Sequence, residues 1–179
     1  MKKIVIKHIP NTLNYGSAMM AENMMHYLNS VLGDNVEFSC DFSSEEDQRR
    51  MTDATKLKRI STDKAIEGVP SGKNKVERLI NTIKGIKKAT REYGKQKVDG
   101  IIILGGDDLS EYYAGWKIVL ELYRLKRLSR ALKVFLAGQT IGPFTSWRVL
   151  AARRCLKHCN IYTRDPLTVD YLTKELRLR

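Results

Sequence analysis

The alternation of short apolar runs with amphipathic stretches predicts an α/β fold, a Rossmann-like, doubly wound and mainly parallel sheet covered on both faces. Two strand ends support it. The run Val134 to Ala137 stops at Gly138, with Gly142-Pro143 marking a turn soon after, and Ile101 to Leu104 ends in the same manner at Gly105-Gly106-Asp107-Asp108. A buried strand that ends in a glycine-bearing loop ahead of a helix is how open α/β sheets build ligand clefts, outside the carboxyl ends of their strands.

Taken in order, Lys3 to Ile9 reads as the first strand, Pro10 to Tyr15 as loop and Gly16 to Leu32 as a helix ended by Gly33. Asn35 to Phe42 gives a second strand with Val36, Phe38 and Cys40 on one face. Ser43 to Asn74 is polar, poor in large apolar residues and contains Gly68, Pro70 and Gly72. It is expected to be a long, partly mobile insertion with room for one short helix. Lys75 to Tyr93 is amphipathic, with Val76, Leu79, Ile80, Ile83 and Ile86 on one stripe. Gly100 to Leu104 is the third strand, and Tyr112 to Leu132 a helix with Val119, Leu122, Leu125 and Leu128 inward. After the strand at Val134, a helix runs from Ser146 to His158, capped by Thr145 or Ser146. Asn160 to Thr163 is a last strand, and Asp165-Pro166 sets a cap ahead of a proline suited to a first helical turn, opening a helix to Leu176. About five parallel strands are expected.

At 179 residues the chain suits one well-packed domain or half of a two-domain enzyme. No apolar run approaches the ~20 residues of a membrane span, and the apolar run behind Lys2-Lys3 is too short for a signal peptide. The cytoplasm is the expected compartment. Three cysteines without paired spacing (Cys40, Cys155, Cys159) fit reduced thiols. The net charge of +12 is spread over several helices and accompanies no nucleic-acid-binding motif, so no nucleic-acid partner is expected. Lys117, Arg124, Lys126, Arg127, Arg130 and Lys133 gather on one helix and its exit. They read first as a solvated face and second as a surface for anionic lipid.

Three loops should converge at the carboxyl edge of the sheet. In the first, Asn14, Gly16 and Ser17 head a helix, where backbone N–H groups attract an anion; an ordinary strand-to-helix turn is the equal alternative. It is neither a dinucleotide fingerprint nor a Walker loop. In the second, Gly105 and Gly106 bring backbone close to a ligand, and Asp107 and Asp108 could take sugar hydroxyls, a proton or a metal. The competing reading makes Asp108 a helix cap. In the third, Gln139 suits a hydroxyl-rich substrate and lies near Gly142, while Arg164 at the end of the last strand could grip a phosphate or carboxylate or pair with a carboxylate of the chain. His8, His26 and His158 read as structural, and Met19, Met20, Met24 and Met25 as core and cleft packing. Cys155, His158 and Cys159 share a helical turn without a second ligand pair, so no metal is expected.

Together these loops resemble the polysaccharide pyruvyl transferase family. The resemblance rests on Asn14-Tyr15-Gly16-Ser17, Gly105-Gly106-Asp107-Asp108-Leu109, Gly138 to Phe144 and Tyr162 to Thr168, with Gln-x-Ile-Gly-Pro followed by Arg-Asp the most specific combination. Many relatives carry aspartate where this chain has Ser17, and often a third glycine where it has Asp107. The resemblance implies the N-terminal half of a two-Rossmann-domain architecture similar to one large glycosyltransferase class, so residues 1–179 are expected to form one lobe, without the second. It implies transfer of a pyruvyl group from phosphoenolpyruvate to hydroxyls of a glycan or lipid-linked sugar as a ketal, with no further cofactor. Envelope or exopolysaccharide assembly at the inner face of a bacterial membrane is the implied setting. Arg164 would contact the anionic donor and Asp107 the acceptor hydroxyls or a proton, with Asn14, Gly16, Ser17, Gly105, Gly106, Gln139 and Gly142 around the substrates. The lobe alone is expected to show little or no turnover. A non-catalytic sugar- or membrane-binding domain and half of a two-domain glycosyltransferase are the alternatives.

Overall fold

The computed structural model describes residues 1–63, 65 and 72–178. Among these, six strands form one all-parallel sheet: β1 (Lys2–Lys7), β2 (Val36–Cys40), β3 (Ile60–Thr62), β4 (Gly100–Leu104), β5 (Lys133–Gln139) and β6 (Asn160–Thr163). Their order is β3-β2-β1-β4-β5-β6. The chain winds outward from β1 in one direction and from β4 in the other, so the strand order reverses between β1 and β4. That reversal is where an open α/β sheet holds its ligand. The helices are α1 (Tyr15–Leu32), α2 (Glu45–Thr55), α3 (Lys75–Lys95), α4 (Glu111–Ala114), α5 (Ile118–Ala131), α6 (Trp147–Leu156) and α7 (Pro166–Asp170). A 3₁₀ turn at Gly115–Lys117 joins α4 to α5, and a turn of π-helix at Tyr171–Glu175 follows α7.

Two cores sandwich the sheet. On one face Ile6, Phe38, Cys40, Ile102 and Leu104 pack against Ala21 and Met25 of α1 and Met51 of α2. On the other, Val5, Ile101, Ile103, Val134 and Leu136 pack against Tyr93 of α3, Leu122, Leu125 and Leu128 of α5, and Ala152 and Leu156 of α6. This alternation along β1, β4 and β5 is why those strands read as continuous apolar runs.

The stretch from Ser43 is not the insertion the sequence suggests. Ser44 caps α2 by accepting the Asp47 N–H, and the chain then returns as β3, parallel to β2 through Phe38 and Ile60. The segment is therefore another β-α-β unit at the sheet edge, concealed by a strand of three residues and by a helix whose only large buried apolar side chain is Met51. Gly68 and Pro70 lie outside the described residues. The long helix expected from Tyr112 is broken at Gly115, which sits at φ +53°, and resumes at Ile118. The apolar stripe of α3 is buried only from Ile86 onward, while Val76 stays 65% exposed beside a groove shared with Leu120 and Arg124 of α5. At α6 neither Thr145 nor Ser146 caps with its side chain. Instead the Glu111 carboxylate accepts the Thr145 N–H and hydroxyl and the Arg148 guanidinium, clasping the start of α6 to α4.

Candidate functional site

The carboxyl ends of β4, β5 and β6 are stitched into one ledge beyond the sheet. Thr140 N–H donates to the Gly106 carbonyl, Gly142 N–H to Leu109, and Leu109 pairs with Ile141 in a parallel bridge. Backbone bonding of this kind needs the two loops almost in contact. Gly105 provides it: a Cβ there would run into the Gly138 carbonyl. Gly142, at φ +82°, is likewise a glycine because a side chain would strike the Tyr171 ring, whose hydroxyl accepts the Phe144 N–H at 2.8 Å. Gly106 has more room, its Cβ position lying 3.1 Å from a movable Asp108 oxygen. Both Gly105 and Gly142 thus answer to protein packing.

Gln139 also turns inward. The β5–β6 register passes from Ala137↔Tyr162 to Gln139↔Thr163, leaving Gly138 as an extra residue at φ +71°. A bulge of this kind re-aims the next side chain. Gln139 is fully buried and its amide donates to the Leu104 carbonyl at 2.9 Å, so it braces the β4 end instead of facing the open ledge.

On the ledge, Arg164 Nη2 donates to Asp107 Oδ1 at 2.7 Å and to Thr140 Oγ1 at 3.1 Å. Asp165 caps α7 by accepting the Thr168 N–H and hydroxyl, and these bonds, with one from the Thr140 hydroxyl, hold its carboxyl below the usual range. Asp107, Thr140, Gly142, Arg164, Asp165 and Tyr171 share an open cleft of about 440 Å³. Arg164 remains 58% exposed at its side chain, so the pair with Asp107 is open to exchange with an anion from solution.

The head of α1 lies on the opposite side of the strand ends. Asn14 caps it by accepting the Ser17 N–H at 3.4 Å, a long bond. Gly16, Met19, Met20 and Met24 border a second, largely apolar depression against Leu104, Ala137 and Gly138. Met25 alone of the four methionines is core. The loop before α1 is fixed from the unit that the sequence suggested was an insertion: Asp47 of α2 accepts both the N–H and the hydroxyl of Thr12.

The structure therefore joins Asp107 to Arg164, and Gly105 and Gln139 to the scaffold beneath them, and it sets Asn14, Gly16 and Ser17 across the strand ends. Sequence reasoning passed over Thr140, the second acceptor for Arg164. It also passed over the contact between His8 at the end of β1 and Asp108 of the β4 loop, 3.5 Å apart at the strand-order reversal. Positions at the reversal are findable only once strand order is known.

No curated protein and no solved structure matches this chain. The family model for polysaccharide pyruvyl transferase matches residues 14–178, from the cap of α1 through the turn after α7 and across all three loops. With this match spanning nearly all its length, the chain belongs to the polysaccharide pyruvyl transferase family.

Proposed function

We propose that this lobe binds phosphoenolpyruvate and the hydroxyls of a sugar acceptor, and that the pyruvyl group is transferred to an envelope or exopolysaccharide glycan as a ketal. The observation that carries the reading is the pair of Arg164 with Asp107 on the wall of an open cleft, in a chain of this family. A guanidinium offers two parallel N–H donors to a carboxylate or phosphate. The donor anion would take the place of Asp107 on Arg164, and Asp107 would then be freed to accept hydroxyl protons from the sugar. The transfer is redox-neutral, so we assign no cofactor beyond the donor. A second Rossmann-like lobe would close the cleft and complete the catalytic set, and turnover is expected only in its presence.

We also assign the basic residues of α5 and its flanks, Lys117, Arg124, Lys126, Arg127, Arg130 and Lys133, to peripheral contact with the anionic inner leaflet, where a lipid-linked acceptor would be met. No described helix is long and apolar enough to cross a membrane.

Calorimetric titration with phosphoenolpyruvate tests the donor site. The parent chain should bind, and Arg164→Lys should bind about tenfold more weakly with an unchanged melting temperature, since lysine keeps the charge and loses the fork. A lowered melting temperature with unchanged affinity would make Arg164 a scaffold residue. Binding of a nucleotide sugar in place of phosphoenolpyruvate would favour a glycosyltransferase.

A further inference from the structure

We infer that His8 is the proton-transfer group for an acceptor hydroxyl, oriented by Asp108 and held at the strand-order reversal by Asp41; the inference rests on the pyruvyl-transfer reading above. His8 is the first residue past β1 and sits at φ +75°, a left-handed conformation that is uncommon outside glycine. The bend is held from the residue that follows β2: the Asp41 carboxylate accepts the His8 N–H at 2.9 Å on one oxygen and the Ile9 N–H at 3.0 Å on the other. A carboxylate spent on holding two successive amides in a bend fixes where the imidazole goes. Strained backbone that its surroundings over-determine collects at functional sites.

The ring is presented with its two nitrogens in different settings. Nδ1 is enclosed, has no hydrogen-bond partner, and lies 3.5 Å from Asp108 Oδ2. That separation is too long for a formed bond and short enough to become one when the ring gains a proton or the cleft closes. The His8 side chain is 29% exposed, and no hydrogen bond of Nε2 is found among the described residues, so with Nδ1 enclosed Nε2 is the nitrogen left for a ligand. A carboxylate beside one ring nitrogen and an accessible second nitrogen is the arrangement of an oriented general base. Charged neighbours frame it on every side. Lys7, Asp41, Glu121 and Arg124 line the same small cavity of about 150 Å³ as His8, and Asp108 reaches in from the β4 loop. Lys7 is engaged elsewhere, with Asp63 at 2.6 Å.

In the reaction, the hydroxyl O–H bond breaks, its proton passes to His8 Nε2, and the freed oxygen pair forms the bond to C2 of the pyruvyl group. The vinyl carbon gains one proton, which balances the one that His8 removes. The second hydroxyl oxygen, its proton taken by Asp107, then bonds C2 as phosphate departs with the C2–O pair, and Asp107 passes that proton to the phosphate. Asp108 Oδ2 closes onto Nδ1 and accepts a hydrogen bond from its N–H once the ring has taken the proton.

The test uses the 179-residue chain. Asparagine and glycine both accept a positive φ, so His8→Asn and His8→Gly should melt at or slightly above the parent temperature. A fall of more than about 5 °C in both would make His8 a scaffold residue and overturn the inference. In nitrogen-edited NMR the His8 Nδ1 signal should move in Asp108→Asn, and an unchanged Nδ1 signal overturns the pairing. The ring signals should also move when phosphoenolpyruvate and a methyl hexoside are added together. Movement elsewhere in the spectrum with His8 unmoved would sink the inference and leave the proposed function standing. No movement anywhere would remove both.

Discussion

Gly105 and Gly138 touch across the ends of β4 and β5, leaving no room for a Cβ on Gly105. Gly105→Ala should therefore part the two loops and break the Thr140-to-Gly106 and Gly142-to-Leu109 bonds. The expected loss is about 2 kcal/mol or more, as for other overpacked sites. Gly106→Ala, which meets only a movable Asp108 oxygen, should cost much less. Thermal unfolding of the two variants checks the contrast, and equal losses would mean the loops separate freely.

Lys7, Asp63 and Tyr93 form a buried triad behind the sheet's carboxyl edge. Asp63, 1% exposed at its side chain, pairs with Lys7 and accepts the Tyr93 hydroxyl at 2.6 Å. Removing one partner strands the others. Asp63→Ala should cost about 3 kcal/mol and Tyr93→Phe about 1 kcal/mol, read from urea midpoints at constant m-value. A neutral Asp63→Ala would show that the triad is dispensable.

Acid should loosen the first loop. Asp47 is held below the usual carboxylate range, chiefly by the Ser44 hydroxyl and then by the bonds from Thr12. Its folded pKa lies below its unfolded one of about 3.9. The stability it contributes is therefore present above about pH 4 and lost as the pH falls through the folded value. Asp99, lowered mainly by the Lys3 N–H, acts in the same window. Asp47→Asn should lower stability at neutral pH and flatten the acid limb of a stability–pH profile. A profile unchanged in shape would rule Asp47 out.

Thiol chemistry should be silent in the folded protein. Burial pushes the Cys40 thiol well up, helped by Asp41 and Asp63, and it raises Cys155 as well. Cys159 is pushed up to about 11, again by burial. Thiolate, the reactive form, is therefore scarce at pH 7.5. Ellman's reagent should react slowly with the native chain and fast with three thiols after guanidinium unfolding. Rapid native labelling at Cys40 would contradict the burial.

Gly100 to Leu104, buried along its whole length, was legible from its apolar run, and Asn160 to Thr163 falls where the sequence places it although none of its residues is buried. β3 was not, because Ile60 is its only buried apolar residue and pairing with β2 supplies the rest of its stability. At the site, Arg164 and Asp107 were legible as charged residues at strand ends, and their contact was one of the two readings left open. Gly105 and Gly142 show the limit. A glycine reads the same whether it makes room for a ligand or for a neighbouring carbonyl or ring, and only tertiary contact separates the two. His8 looked ordinary because neither its φ nor its neighbour Asp108 in the loop after β4 is written in local sequence.

Gly138 acts as a phase shifter. Along β5, side chains alternate between the two cores, and by parity Gln139 belongs with Ala137 on the α1 side. The extra residue moves it one step out of phase, into register with Thr163. Were the bulge ironed out, with Gly138 itself taking the place opposite Thr163, the parity would return: Gln139 would swing toward the methionine-lined depression, Thr140 would turn away from Arg164, and the β4 end would lose its brace at Leu104. One achiral residue thus decides which of two opposite surfaces this edge of the sheet presents to a substrate, and the two surfaces differ in kind, one charged and hydrogen-bonding, the other apolar.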